Sequence, residues 1–285
     1  IYCMRFIKPF SHYALDRIVH SVSPKKKHAK RLATPLANDK ILADPMDAPV
    51  EIPPANSSEE VKAELITMDC MIDSLGTEEQ AKMVSKYDED FHADFQKIVE
   101  DAGYLYPKQW LEELVVEAAE VIIRLKYRFN RPRPYELAPV LGIDLKYDDT
   151  NTAKTPSFPS GHAAQSTLMA YVLSELYPDL KIDLYDTADE VAYSRFIGGL
   201  HFPSDLEYGK IIGKWLGERT LLKDLKSNTL EQTETIAGEM IKPNVSPNPA
   251  QQGSKEDDRL LRIRQFKGTV QDYKDYWDDR ISRAD

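Results

Sequence analysis

Apolar residues recur at helical spacing in segment after segment of this chain, and alternating strand patterns are nearly absent. That leaves little room for anything but an all-α fold. The clearest stretch runs from Trp110 to Phe129, where Leu111, Leu114, Val115, Ala118, Val121, Ile122, Leu125 and Phe129 form one stripe. Arg131-Pro132-Arg133-Pro134 ends it, because neither proline has an N–H to continue the ladder. Upstream, Ser57-Ser58-Glu59-Glu60 reads as a capping box, followed by Val61, Leu65, Met68 and Ile72 on one face. Thr77-Glu78-Glu79-Gln80 is a second such start, and a further helix runs from about Glu89 to Asp101 and stops at Gly103. Downstream, helices are expected over 161–176 and 187–197. Ser204-Asp205-Leu206-Glu207 then caps one that carries Ile211, Ile212, Trp215 and Leu216. The expected architecture is a helical bundle.

Three regions follow. Residues 1–56 read as an N-terminal arm, with a basic cluster from Lys25 to Arg31 and proline-punctuated sequence after it. The cluster suits either a grip on an anionic surface or a solvated segment. Residues 57–225 form the helical domain. Residues 226–285 are an extension: Pro243, Pro247, Pro249 and Gln251-Gln252-Gly253-Ser254 read as a linker, and Arg259–Phe266 as a short helix.

Charge and composition remove several function classes. The formal net charge is −10, which argues against a general nucleic-acid binder and requires any anion site to be basic only locally. Cys3 and Cys70 are too few for a disulfide framework or a metal cluster. No stretch reaches the ~18 apolar residues of a membrane span, and the first residues lack the uninterrupted apolar stretch of a signal peptide. The expectation is a soluble, cytoplasmic protein, with Met4 an alternative start and the oligomeric state left open.

Three short segments concentrate chemistry. Lys126-Tyr127-Arg128-Phe129-Asn130-Arg131-Pro132-Arg133-Pro134 puts a lysine at a helix end and arginines beyond it. Pro159-Ser160-Gly161-His162 opens a helix. Ser194-Arg195 is followed by His201 and Asp205. Singly, each has a bland reading: a solvated basic helix end, a turn, a structural histidine, a surface ion pair between Arg195 and Asp205. Together they suit one task. Lys126, Arg133 and Arg195 surround a phosphate with charge-assisted hydrogen bonds. Ser160 and Gly161 present amides at the positive end of a helix dipole. Asp205 orients His201 by bonding one ring nitrogen, and His162 serves as general acid.

In combination these residues resemble the three-part signature of the type 2 phosphatidic acid phosphatase superfamily: Lys-x6-Arg-Pro, Pro-Ser-Gly-His and Ser-Arg-x5-His-x3-Asp. All eleven fixed positions agree in order, from Lys126 to Asp205. The resemblance covers roughly Trp110 to Leu222 and leaves out the arm and the extension. The superfamily contains membrane lipid phosphatases, class A bacterial acid phosphatases and vanadium-dependent haloperoxidases. Ser-Phe-Pro-Ser-Gly-His, Ser-Arg-Phe-Ile-Gly-Gly-Leu-His-Phe-Pro-Ser-Asp and the short connection from Pro134 to Pro159 look most like the class A enzymes, although those are normally exported.

The resemblance implies a helical bundle of the acid phosphatase/haloperoxidase type that acts on small phosphate monoesters. It implies that His201 attacks phosphorus to form a phosphohistidine and that His162 protonates the departing alcohol. Lys126, Arg133, Arg195 and the Ser160 and Gly161 amides then hold the equatorial oxygens. No metal is implied, and no metal-ligand spacing is seen. Vanadate is expected as an inhibitor. One rival reading is a vanadium haloperoxidase with vanadate as cofactor; another is a non-catalytic binding or structural protein on the same fold.

Overall fold

The computed structural model describes residues 26–33, 36, 40–41, 43–88, 90–222 and 225–229. The linker and short helix expected in the C-terminal extension lie outside these residues, as does Cys3. All the described residues belong to the first of two compact units, Ile1–Gly238. Among them are nine α-helices, three 3₁₀ turns and no strand; one isolated bridge joins Ile41 to Thr220. The fold is all-α.

Helix α1 spans Lys26–Ala33, α2 Glu59–Leu75, α3 Thr77–Asp88 and α4 His92–Asp101. The Ser58 side chain caps α2 by accepting the Val61 amide, and the buried face of α2 is Val61, Leu65, Met68 and Ile72, as their spacing requires. Helix α5, Lys108–Phe129, buries its stripe and closes on Asn130, which takes the left-handed conformation before the prolines. Pro134 does not merely stop a helix. It opens the short α6, Pro134–Leu137, because a first-turn position asks for no N–H. Helices α7 (Gly161–Leu176), α8 (Lys181–Ile197) and α9 (Pro203–Glu218) complete the bundle.

Three boundaries differ from expectation. Helix α4 begins at His92 rather than near Glu89. Helix α8 begins at Lys181, six residues before Thr187, because the 3₁₀ turn Pro178–Leu180 leads straight into it. Helix α9 begins at Pro203, and its cap is the Asp205 carboxylate accepting the Phe202 amide. Ser204 lies inside the first turn, where its amide goes to Glu64.

Helix α7 is the hub, packed on α8 and α9 and more lightly on α5. Its contact with α9 is close because Gly209, Gly213 and Gly217 line one face of α9. A Cβ on Gly209 would lie 2.8 Å from the Ser160 carbonyl, and one on Gly213 would strike the Ala164 carbonyl. Residues ahead of α2 contribute to the same core: Ile41, Ala43 and Ala48 are buried in it. Helix α1 is tied to α5 by Arg31 Nε donating to Glu120 at 2.7 Å and by a His28–Tyr127 hydrogen bond of 3.0 Å. No helix among the described residues is long and apolar enough to cross a membrane.

Candidate active site

Helices α5 and α8 end where α7 and α9 begin, and the three motif segments meet at that end of the bundle. Lys126 and Arg195 occupy the last turns of α5 and α8, where cations suit the negative end of the helix dipole. Gly161 and His162 occupy the first turn of α7, whose amides have no acceptor within the helix. A backbone bond from the Ser160 amide to the Asp205 carbonyl, 2.9 Å, pins the start of α7 to the start of α9. The loop between α6 and α7 is held by Phe158, which stacks on Tyr208 and meets Phe129 edge-on.

A cavity of about 300 Å³ opens over this junction. Lys126, Arg133, Gly161, His162 and His201 all line it. Arg195 stands just behind Asp88, another lining residue, to which its NH2 donates at 2.8 Å. The amide and the hydroxyl of Ser160 are both engaged within the protein. Its amide goes to Asp205 and its hydroxyl caps α7 by accepting the Ala163 amide. The amide left at the cavity wall is that of Gly161.

The histidines are oriented from both sides. His201 Nε2 is 2.9 Å from Arg133 NH1, and its Nδ1 is 3.4 Å from Asp205 Oδ2. A guanidinium can only donate, so Nε2 carries the lone pair and Nδ1 the proton. His162 Nε2 lies 3.1 Å from the Asp88 carbonyl, an acceptor, so there Nε2 carries the proton. Asp205 is wholly buried and well served: its carboxylate accepts from Arg131 (2.7 Å), the Phe202 amide (2.9 Å) and the Ser157 hydroxyl, besides His201. The surface ion pair considered for Arg195 and Asp205 is not formed. Both are buried, Arg195 pairs with Asp88, and Asp205 pairs with Arg131.

The electrostatics are those of cations buried close together. Burial, reinforced by Arg133, pushes the Lys126 ammonium well below its usual pKa, while its Nζ donates to the Pro156 and Ser157 carbonyls. Burial brings Arg133 down to about 10. Two nitrogens of Arg195, Nε and NH1, are buried without a partner among the described residues. Burial and then Arg133 hold His201 well below the ordinary histidine range. Burial and then Arg195 push His162 down to about 3. The residue keeps partial exposure and lines the cavity. Burial works against the Asp205 carboxylate, but Arg131 and the His201 and Ser157 hydrogen bonds outweigh it and hold the pKa far below normal. Cations crowded in this way oppose one another's charge.

Above this floor the cavity is largely apolar. Val115, Ala119, Ile122 and Ile123 of α5 form one wall and Phe91 forms another. Arg31, from the segment expected as an arm, also lines it. Sequence reasoning did not single out Asp88, Arg131, Ser157 or Glu64 as part of the site. Arg131 sits among the variable positions between Lys126 and Arg133, where Pro132 and Pro134 read as a helix stop. Asp88 and Glu64 are far away in the chain and carry no local signal.

Residues 111–221 match the model of the PAP2 superfamily. The chain is 41% identical over 89 residues to the non-specific acid phosphatase of Salmonella typhimurium, a stretch covering 31% of this chain and 35% of that protein. It is 31% identical over 103 residues to the non-specific acid phosphatase of Providencia stuartii, covering 36% and 41%. It is 32% identical over 89 residues to the acid phosphatase of Zymomonas mobilis, covering 31% and 33%. The chain thus spans well under half the length of these relatives. A transmembrane PAP2-type phosphatidylglycerolphosphate phosphatase from Bacillus subtilis shares 19% identity over 60% of this chain and 89% of that one, at a TM-score of 0.42.

Proposed function

We propose that this chain, which carries a PAP2 superfamily domain at residues 111–221, is a phosphatase that hydrolyses small phosphate monoesters through a phosphohistidine at His201. One observation carries the reading: His201 directs an unprotonated Nε2 at Arg133, which lines the cavity together with Lys126, and Asp205 stands behind its other nitrogen. That is an activated nucleophile facing an anion site.

The substrate phosphate displaces the contact between Arg133 and His201 and settles among Arg133, Lys126, the Gly161 amide and the open nitrogens of Arg195. The His201 Nε2 lone pair attacks phosphorus in line. The P–N bond forms as the P–O ester bond breaks, and His162 gives the departing oxygen its proton. In the second half a water attacks phosphorus, His162 takes the proton from that water, and the P–N bond breaks to release phosphate and free His201. The cations oppose the charge that builds on the equatorial oxygens, the task a metal performs in other phosphoryl-transfer sites.

Burial and Arg195 keep His162 neutral at ordinary pH. Its acid form therefore arises with the substrate, either from a phosphate monoanion or because the phosphate's charge offsets Arg195 and restores proton affinity. The apolar wall on α5 then receives the body of the leaving alcohol. Release of inorganic phosphate from an aryl phosphate, with and without a chelator, tests the reading. No release refutes the phosphatase assignment, and release abolished by chelator refutes the metal-free mechanism. The acid phosphatase relatives favour this activity over halide oxidation, which an assay with vanadate and peroxide measures directly.

A further inference from the structure

Helix α2 lies outside the matched domain, yet its Glu64 reaches the underside of the site. One Glu64 oxygen accepts the Ser204 amide at 2.7 Å, and the other accepts from NH2 of Arg131 at 3.2 Å. NH1 of Arg131 donates onward to Asp205 Oδ1 at 2.7 Å and to the Ser204 hydroxyl at 2.8 Å. The guanidinium lies over the Phe202 ring, 4.0 Å from its centroid, and the side chain is fully buried. So α2, the chain after α5 and the start of α9 converge on a single arginine, and that arginine holds the oxygen of Asp205 that does not face His201.

We propose that Arg131, clamped by Glu64, is a positioning residue that keeps the His201–Asp205 pair from taking up a proton, and thereby sets the lowest pH at which His201 attacks. This rests on the assignment of His201 as nucleophile. The reason lies in how the neighbouring charges are placed. An unopposed carboxylate beside an imidazole favours imidazolium, which has no lone pair for phosphorus. Four charged side chains face the pair: Arg133 and Lys126 from the cavity side, Arg131 from behind, and Glu64 behind Arg131. Arg133 and Lys126 point at the phosphate site, so a bound phosphate cancels much of their influence on His201. Arg131 points away from the cavity and touches no substrate. Its charge is the one that still opposes protonation while the phosphate ester is bound.

The test follows the His201 imidazole by ¹⁵N NMR across pH, alongside the pH profile of kcat/KM on an aryl phosphate. Arg131→Gln removes the charge and keeps a donor. The titration midpoint and the acid limb of the profile both move up, by about one unit, and phosphate-bound enzyme shows the larger shift. The pair titrates as a unit, so the direction holds whichever residue takes the proton. Arg131→Lys restores the charge and brings both back toward the parent values. A purely structural Arg131 instead lowers the rate by one factor at every pH and leaves the limb in place, and that result overturns the proposal. Should Arg131→Gln fail to fold, Glu64→Gln replaces it. That variant removes a negative charge, keeps one of the two hydrogen bonds because an amide nitrogen cannot accept, and moves the midpoint down; a midpoint that stays or rises also overturns it. If no variant and no parent protein releases phosphate, the phosphatase reading fails, while the NMR titration still decides the role of Arg131.

Discussion

The Arg133 guanidinium stands 2.9 Å from His201 Nε2 and fixes the tautomer of the imidazole. An arginine that only donates leaves the ring nitrogen no choice but to accept. In the proposed mechanism the phosphate enters at this contact, and Arg133 turns from the nitrogen to the phosphate so that the nitrogen can attack. His201→Ala is therefore expected to abolish phosphate release, by about 10³-fold or more, in a protein whose helical circular dichroism is unchanged. Activity within tenfold of the parent would remove His201 from the nucleophile's role.

Asp205→Asn has a double effect. It loosens the hold on the His201 tautomer, so kcat falls, though less than in His201→Ala. It also takes one of two anions away from a fully buried Arg131, leaving Glu64, so the loss of stability stays below the about 3–5 kcal/mol of a fully broken buried pair. Urea melts of the variant check the second effect and steady-state rates the first. A fully active and fully stable Asp205→Asn protein contradicts both.

Stability should fall in acid, with a definite sign. His162 titrates near 6.5 when unfolded and near 3 when folded, so the native state binds fewer protons between those values. Its contribution is complete above pH 6.5 and is lost as pH falls from 6.5 toward 3, by about 1.4 kcal/mol per pH unit for each such histidine. His201 acts in the same direction. Denaturant melts at several pH values measure the slope. His162→Gln should make it shallower, and added phosphate should make the protein less sensitive to acid. A slope that His162→Gln leaves untouched would show that this ring is not held neutral.

His162→Ala should slow esters with poor leaving groups far more than an activated aryl phosphate, because a general acid matters in proportion to the basicity of the departing oxygen. Rates for an alkyl and a nitroaryl phosphate, compared in parent and variant, decide this. An equal loss on both would assign the proton to another group.

Vanadate should inhibit competitively, more tightly than phosphate and regardless of chelator, because its five-coordinate form mimics phosphorus between His201 and the leaving oxygen. Arg195→Ala and Lys126→Ala should each weaken the inhibition, since each removes a cation from the equatorial oxygens. Inhibition that required an added divalent metal would count against the site as proposed.

Much of this was readable from the chain. The stripes at 61–72 and 111–129 follow from a period of 3.6 residues, which is local information, and the structure buries those same faces. The motif residues declared themselves by type and spacing. Helix starts were less legible. The start of α9 depended on Pro203 and on a carboxylate bonding back to Phe202, and the early start of α8 depended on a 3₁₀ turn that apolar spacing does not register.

By itself, then, the sequence determined the all-α class, the buried faces of the main helices and which residues carry charge, lone pairs and protons, because these depend on neighbours within a few positions. Only the tertiary structure decided who faces whom. It gave Asp88 to Arg195 across 107 positions and Asp205 to Arg131 across 74. It brought Glu64 beneath the site from 140 positions before Ser204. It raised an apolar wall from α5 above the cations. Such pairings depend on how α7 seats against α9 through glycines that admit no side chain, and the desolvation that lowers the pKa of both histidines exists only once that packing has excluded water.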